Sequence, residues 1–293
     1  MADIEDIVKV NVSEVISWSR RTDIPAFFME EAVKSLVDGY VDVKGPYGTT
    51  SRLSLKPQHV KCIAWWSKDY GKWLLARKAN KKLFAKYKHV FNFTINGCDE
   101  LEPGVESSLD DRLKQLKRLS KRYTSDAIQY RFDPIVVWKD MNDNNTIKNN
   151  LGNFEKIISF VSACGVKEIH FAFCFGYPKV VSRMTKRGKI LVNLTDDDKH
   201  KILDDLLEIT NKYNMELHAC CTSGVVGYKG KIKPSHCIDG DKIEKLLGIP
   251  LQKKKKDSGQ RKECGCVLSK DAGSYEKECS HSCDYCYANP KKI

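Results

Sequence analysis

Three cysteines near the end of the chain have the spacing of iron–sulfur ligands. Cys279, Cys283 and Cys286 follow the pattern C-x3-C-x2-C. Cysteine thiolates hold iron–sulfur clusters, and a loop this short can direct three of them at one face of a 4Fe–4S cube. The spacing therefore predicts a cluster whose fourth iron has no protein ligand. Such an iron could chelate the amino and carboxylate groups of S-adenosylmethionine and pass an electron to its sulfonium.

The cysteine content of the whole chain favours metal binding over disulfides. The chain has 12 cysteines. Its start, MADIEDIVKV, is acidic and lacks the apolar core of a secretory signal, which predicts a cytoplasmic protein, where disulfides are rare. Zinc is the alternative metal, although zinc sites usually pair their ligands as C-x2–4-C twice. A second site, for a cluster or a zinc ion, is predicted at Cys264 and Cys266 with Cys237 or one of Cys220 and Cys221.

The segment CSHSCDYCY, residues 279–287, resembles the cluster motif of radical S-adenosylmethionine enzymes and is most similar to their spore photoproduct lyase-like branch. The resemblance implies a 4Fe–4S cluster, S-adenosylmethionine and an electron donor such as a flavodoxin or ferredoxin. It also implies that Tyr285 packs near the adenine, and it allows DNA or RNA as a substrate. These enzymes usually carry the motif near the amino terminus. The first and last elements of a barrel are neighbours, so a tail across the barrel mouth could bring the cluster to a similar place.

Four further blocks resemble an uncharacterised family known only as domain of unknown function number 1848. The blocks are VISWSRRTDIPAFF, YRFDPIV, HCIDG and ECGCVLSKDAGSYEKECSHSCDYCYAN. They are distributed over nearly the whole chain. The resemblance implies an iron–sulfur protein with a barrel and brings no established reaction.

Alternating apolar runs and helical patterns indicate an α/β fold. Strand-like runs occur at residues 14–18, 60–66, 89–95, 127–132, 168–175 and 215–221, and helical patterns at 25–37, 70–87, 105–122, 147–164 and 196–213. A shorter hairpin is expected at 40–44 and 51–56. This alternation predicts a TIM-like (β/α) barrel, complete or partial, over residues 1–250. Residues 251–293 are expected to form a linker and a cysteine-rich, cluster-binding tail packed on the barrel mouth.

The predicted strands alternate aromatic and polar side chains, which predicts helices over the aromatic face and a wet, ligand-holding lumen on the polar face. In such barrels the chemistry lies at the carboxyl ends of the strands. Residues predicted there to bind a cofactor are Ser19, Arg20, Arg21 and Asp23. Residues predicted to act on the substrate are Arg131, Asp133 and Cys174.

The net charge of +12 is compatible with a second class of function, nucleic-acid binding. Residues 72–88 contain seven basic side chains and no acidic one, which could be a solvated helix face or an electrostatic footprint for nucleic acid. The alternative is therefore a non-catalytic nucleic-acid-binding protein, stabilised by zinc or an iron–sulfur cluster. No apolar run is long enough to cross a membrane, and no membrane partner is expected.

Overall fold

The computed structural model describes residues 10–45, 49–274, 276–288 and 290–291. Two sequence features lie outside them in part: residues 1–9 of the acidic start and residues 46–48 of the hairpin turn. In the described part of the chain, no helix is both long and apolar enough to cross a membrane.

Strands and helices alternate along most of the chain. The strands are β1 (Val10–Asn11), β2 (Val15–Trp18), β3 (Tyr40–Lys44), β4 (Thr50–Ser54), β5 (Cys62–Ser67), β6 (Lys88–Thr94), β7 (Ile128–Ile135), β8 (Val137–Asp140), β9 (Asp143–Asn149), β10 (Glu168–Phe173), β11 (Lys189–Leu191), β12 (Glu216–Ala219), β13 (Lys233–Pro234) and β14 (Lys270–Asp271). The helices are α1 (Ile24–Phe27), α2 (Met29–Asp38), α3 (Gly71–Ala79), α4 (Lys81–Phe84), α5 (Leu109–Ser120), α6 (Phe154–Ala163), α7 (Pro178–Lys186), α8 (Asp196–Lys212) and α9 (Gly240–Leu247). Short 3-10 turns lie at Asp99–Leu101, Ser125–Ala127 and Tyr228–Gly230.

A parallel sheet of eight strands forms the centre of the molecule, in the order β14-β2-β5-β6-β7-β10-β12-β13. All the pairings between these neighbours are parallel. From β2 to β13 the spatial order follows the chain order, and β14 adds the end of the chain beside β2. The predicted α/β fold with a parallel sheet is confirmed.

A closed barrel is not shown. Within the described residues, no ladder joins the edge strands β13 and β14. Each of these strands has two residues, which is too short for a continuous hydrogen-bonded edge.

One face of the sheet packs beneath the helices, as the aromatic pattern predicts. Trp65, Phe91, Tyr130 and Phe171 are buried there in the main hydrophobic core. The helices contribute leucines, isoleucines and a valine to the same core, including Leu113, Leu116, Ile157, Val161, Leu203 and Leu206. Burial of this apolar surface holds the helices on the sheet.

The opposite face differs from the predicted wet lumen. Asn92 donates to the carbonyl of Cys237 at 3.2 Å, and Gln129 donates to the carbonyl of His236 at 3.3 Å. A second apolar cluster joins strand residues such as Val90 to Ile238 and other residues between 237 and 267. The chain itself therefore satisfies part of the polar face.

Two small sheets flank the large one. The predicted hairpin is confirmed by β3 and β4, which pair with each other in antiparallel orientation, and β1 pairs with β4. The expected helix over 147–164 is wrong at its start, because β9 ends at Asn149 and α6 begins at Phe154. The expected helix over 70–87 is two helices, α3 and α4, broken at Asn80. The sheet of β8, β9 and β11 was not predicted.

Candidate metal centre

The cysteine tail, which we define as described residues 276–288 and 290–291, lies against residues that follow the carboxyl ends of the central strands. His281 Nε2 is 2.8 Å from Asp23 Oδ2, just beyond β2. The Tyr285 hydroxyl is 2.8 Å from Lys68 Nζ, beyond β5, and 2.9 Å from Asn96 Nδ2, beyond β6. The tail therefore reaches three neighbouring strand ends.

A buried ion network anchors the tail to this edge. The Glu102 side chain has no exposed surface and bonds Lys68 at 2.8 Å and the Tyr285 hydroxyl. Arg112, also fully buried, lies 3.5 Å from the same carboxylate. Burial alone would raise the pKa of Glu102, but the charges of Lys68 and Arg112 hold that pKa below its ordinary value. Glu102 is therefore ionised at neutral pH.

Helix α7 and the turn after it hold the tail from a second side. Arg183 donates to the carbonyls of Asp284 and Cys286, at 3.1 and 2.6 Å. The fully buried carboxylate of Asp284 bonds Arg187 and lies 3.2 Å from Lys189. These bonds fix the backbone of the loop that carries the last two motif cysteines.

The tail cysteines, Cys279, Cys283 and Cys286, lie close enough for their charges to act on one another. Burial raises the pKa of the Cys279 thiol to about 12 and raises the pKa values of the other two. Hydrogen bonds from the backbone amides of Asp23 and His281 to the Cys279 sulfur lower the pKa of this thiol in part. Binding of a metal would release the protons of these thiols, because thiolates are the ligands. The Ser282 amide donates to the Cys279 carbonyl at 3.3 Å and the Cys286 amide to the Cys283 carbonyl at 3.2 Å, so the three cysteines lie in one tight loop. Three thiols in such a loop fit an iron–sulfur cluster.

The inner cysteines, which we define as Cys220, Cys221, Cys237, Cys264 and Cys266, form a separate group. Their contacts run from Cys221 to Cys220, Cys237, Cys266 and Cys264 in turn, and Cys221 and Cys264 also act on each other. The sulfurs of Cys220 and Cys237 are 3.5 Å apart. The structure thus brings the predicted second-site residues together and adds both Cys220 and Cys221.

Arginine side chains border the inner cysteines. Arg131 donates to Cys237 Sγ at 3.0 Å and bonds Asp133. Its guanidinium and that of Arg20 each lie over the Trp66 ring, at 5.4 and 5.3 Å from the ring centroid. Hydrogen bonds from Cys220 and Cys266, together with nearby positive charge, keep the pKa of Cys237 well below its ordinary value.

The pKa values of the outer members of this group are also low. A hydrogen bond from Cys266 lowers the pKa of Cys264 to about 6, against the effect of burial. A hydrogen bond from Cys220 lowers the pKa of Cys221. Thiolates of this kind are metal ligands.

Three of the residues predicted to bind a cofactor form hydrogen bonds with the segment around Asp271. Ser19 Oγ donates to Asp271 Oδ1 at 2.9 Å, and the Arg20 amide donates to Asp271 Oδ2 at 2.9 Å. Arg21 Nη1 donates to the carbonyl of Gly273 at 2.8 Å. Sequence reasoning missed Asp271, which carries no motif signal.

Asp23 is also engaged by the protein. Its carboxylate accepts from the amides of Ala26 and Lys68, the hydroxyl of Ser67 and the ring of His281. The Ala26 bond caps α1. Asp23 therefore connects the end of β2, the end of β5 and the tail.

The predicted substrate residues lie between the two cysteine groups. Asp133 accepts from Arg131 on one side, and its charge raises the pKa of Cys174, which burial raises to about 12. Partial burial and the charge of Asp133 raise the pKa of Tyr287. The charges of Cys286 in the tail and Cys237 in the inner group raise this pKa further, so Tyr287 lies within electrostatic reach of both groups.

A third group with possible metal ligands was not predicted as a site. Ligand atoms of Glu168, His170 and His218 lie within 4.8 Å of one another. These residues lie on β10 and β12, with Glu168 at the first position of β10. The Lys242 ammonium forms an ion pair with Glu168 and supplies the positive charge there.

The basic stretch of residues 72–88 is an exposed surface of α3 and α4. Its lysines Lys72, Lys78, Lys81, Lys82, Lys86 and Lys88 are all exposed. Lys88 is the first residue of β6, at the amino-terminal edge of the sheet, whereas the tail contacts residues beyond the carboxyl ends. The structure therefore separates this surface from the tail.

Comparison with known proteins gives the family of the chain. Residues 15–288 match the family described as "Domain of unknown function (DUF1848)". The chain belongs to this family. No curated protein is significantly similar to this DUF1848 protein in sequence.

Among solved structures, the DUF1848 protein is similar to SuiB of Streptococcus suis, crystallised with S-adenosylmethionine bound. The identity is 10% and the TM-score is 0.32. The match covers 81% of the DUF1848 chain and 47% of SuiB, so the DUF1848 protein spans about half the length of that neighbour. At this level of likeness, the comparison carries no argument about function.

Proposed function

We propose that this DUF1848 protein is a radical S-adenosylmethionine enzyme that holds a 4Fe–4S cluster on Cys279, Cys283 and Cys286. When bound, the cluster would supply the electron that cleaves S-adenosylmethionine to a 5'-deoxyadenosyl radical. The observation that carries the proposal is the position of the tail across the carboxyl ends of β2, β5 and β6. Parallel α/β folds bind substrates at this edge.

The residues around the tail position the three thiols. Glu102, Lys68 and Tyr285 form one anchor, and Arg183 with Arg187 forms the other. Each anchor combines a charge with buried hydrogen bonds, which gives a defined geometry rather than a loose terminal segment. In this arrangement Tyr285 positions the tail through its hydroxyl.

The tail supplies three thiols, and Cys264 and Cys266 belong to the inner group instead. The chemistry needs this division, because a fourth thiolate on the tail cluster would occupy the iron that S-adenosylmethionine must reach. Arg131 and Asp133 would then hold the substrate on the inward side of the tail, since that charge pair suits a zwitterionic group. Cys174 lies next to Asp133 and is the third candidate at the reacting centre.

The proposal includes the shape of the central sheet. In this proposal, the eight strands form a partial (β/α) barrel that is open between β13 and β14. An electron donor such as a flavodoxin or ferredoxin would reduce the cluster in the cytoplasm. Ser19, Arg20, Arg21 and Asp23 are engaged by the protein, so their proposed role is to shape the wall of the cofactor site.

Production of 5'-deoxyadenosine tests the proposal. The protein is purified and reconstituted without oxygen, reduced with dithionite and given S-adenosylmethionine, and the products are separated by chromatography and mass spectrometry. We expect 5'-deoxyadenosine from the wild type and from Cys164→Ala, which removes a thiol at the end of α6. We expect none from the variant with Cys279, Cys283 and Cys286 all changed to Ala. Equal product from this variant, or none from a wild type that holds its cluster, would refute the proposal.

A further inference from the structure

The inner cysteines place five thiols in one group, although they come from distant parts of the chain. Cys220 and Cys221 follow β12, Cys237 follows β13, and Cys264 and Cys266 precede β14. All five are free thiols. Cys237, Cys264 and Cys266 are buried in one cluster with Ile238, and Cys220 and Cys221 pack against that cluster, so the five lie together.

We infer that the inner cysteines bind a second iron–sulfur cluster, distinct from the cluster proposed on the tail. The inference does not depend on radical chemistry, because it concerns a different set of thiols. Five thiols exceed the four that a cube needs. One cysteine of the group is therefore spare.

The spacing of the sulfurs favours a cluster over a single zinc ion. A zinc–sulfur bond of about 2.3 Å in a tetrahedron places every pair of sulfurs about 3.8 Å apart. Among the described residues, the group of three candidate ligands whose atoms all lie within 4.8 Å is Glu168, His170 and His218. No three sulfurs of the inner cysteines lie within 4.8 Å of one another, as a zinc site would require. The thiolates that hold a 4Fe–4S cube are farther apart than the thiolates of a zinc site.

Positive side chains beside the inner cysteines fit a group with negative charge. A cube held by four thiolates is anionic, and burying an anion requires a partner. Arg131 is 3% exposed and already donates to Cys237 Sγ. The Arg20 guanidinium lies over the Trp66 ring, as that of Arg131 does. The buried Nη2 atom of Arg20 has no hydrogen-bond partner within the described residues. A bound cluster would supply one.

The inner cysteines lie beside the residues that we place at the substrate. Arg131 contacts Cys237 directly and bonds Asp133, which we place at the substrate. Tyr287 lies near Cys286 of the tail as well as Cys237. The second cluster would therefore lie beside the residues proposed to hold the substrate.

Metal analysis of two triple variants tests the inference. The tail variant changes Cys279, Cys283 and Cys286 to Ala, the inner variant changes Cys237, Cys264 and Cys266 to Ala, and Cys164→Ala is the control. Iron, acid-labile sulfide and zinc per chain are measured after anaerobic reconstitution of the full chain. We expect each triple variant to keep about half of the wild-type iron and sulfide, and the control to keep all of it.

Three results would overturn the inference: loss of all iron in the tail variant, wild-type iron in the inner variant, or one zinc per chain in place of iron in the tail variant. The tail variant leaves the inner cysteines intact, so its iron content per chain tests the inference even if the inner variant does not fold. Wild-type protein gives a second measurement: about eight irons are expected for two cubes, and about four irons that are all retained in the inner variant would overturn the inference. Failure of S-adenosylmethionine cleavage alone would leave these metal counts unchanged and would refute only the proposed function.

Discussion

Replacement of Gly104 by Ala should detach the tail from the strand edge. Gly104 lies in the loop after β6, and its amide donates to the carbonyl of His281 at 3.0 Å. A Cβ atom at this position would be 2.0 Å from the Ser280 carbonyl oxygen and 2.8 Å from backbone atoms of His281. These are backbone atoms, which no side-chain rotation can move away. The tail backbone would therefore have to shift by about 1 Å or more to restore a normal contact.

The energy of this change follows from two losses. Overpacking against a rigid neighbour costs about 1–3 kcal/mol. Loss of the hydrogen bond to His281 adds about 1 kcal/mol. We therefore expect Gly104→Ala to weaken tail docking by roughly 2–4 kcal/mol, which should raise the exposure of the tail cysteines by more than tenfold.

The assay is the rate at which a chelator removes iron from the reconstituted protein, combined with urea unfolding. The matched control is Gly152→Ala, because a Cβ there would meet nothing within 4 Å. We expect faster iron loss in Gly104→Ala and a wild-type rate in Gly152→Ala. Wild-type iron retention and stability in Gly104→Ala would refute the close approach of the tail to this loop.

Three further changes test other parts of the structure. Glu102→Gln removes the buried carboxylate that pairs with both Lys68 and Arg112 and should cost roughly 3–5 kcal/mol in urea unfolding at pH 7, whereas Glu100→Gln, at an exposed position, should cost less than about 0.5 kcal/mol; equal effects would contradict the network. Burial lowers the pKa of His89 to about 4, so the unfolded chain binds the proton first as pH falls below 6.5. Stability from His89 should therefore drop by about 2 kcal/mol between pH 7 and pH 5, and His89→Gln should lack this part of the drop; identical pH profiles would contradict it. Asp271→Asn should weaken the hydrogen bonds to the loop after β2 and destabilise that loop by roughly 1–2 kcal/mol. Faster amide hydrogen exchange at Ser19 and Arg20 would show this, and unchanged exchange would contradict a stabilising role of these bonds.

Much of the central sheet could be predicted because its signals are local. Each central strand is a short apolar run between helical patterns, and such alternation leads to parallel pairing in chain order. The sheet of β8, β9 and β11 has no such signal. Residues of β9 are largely polar, and its Ile147 is 60% exposed, so periodicity extended the following helix backwards over it.

The candidate site could be predicted in its residue types but not in its contacts. The spacing of the motif identified Cys279, Cys283 and Cys286 as one group. The bond between His281 and Asp23 joins residues 258 positions apart, and no local pattern encodes it. Cys220 could be named as a candidate for the second site from the sequence, because it directly follows β12 and the carboxyl ends of parallel strands meet at one edge.

The polar strand face shows how the structure differs in part from the expected lumen. Asn92 and Gln129 do face inward, as their alternation with aromatic residues predicts. Their partners are the backbone carbonyls of residues 236 and 237, which belong to a segment that local patterns could not place. Buried polar groups need partners, but the partner can be the chain itself as well as a ligand or water.

The most direct test of the central claim is electron paramagnetic resonance of the reduced tail cluster with and without S-adenosylmethionine. The sample is the inner variant, with Cys237, Cys264 and Cys266 changed to Ala, so that the inner group keeps two of its five thiols while the tail keeps all three of its own. An iron without a protein ligand should bind S-adenosylmethionine directly, and we expect the spectrum of the reduced cluster to shift when it is added. An iron–sulfur signal that is identical with and without S-adenosylmethionine would contradict an open iron on the tail.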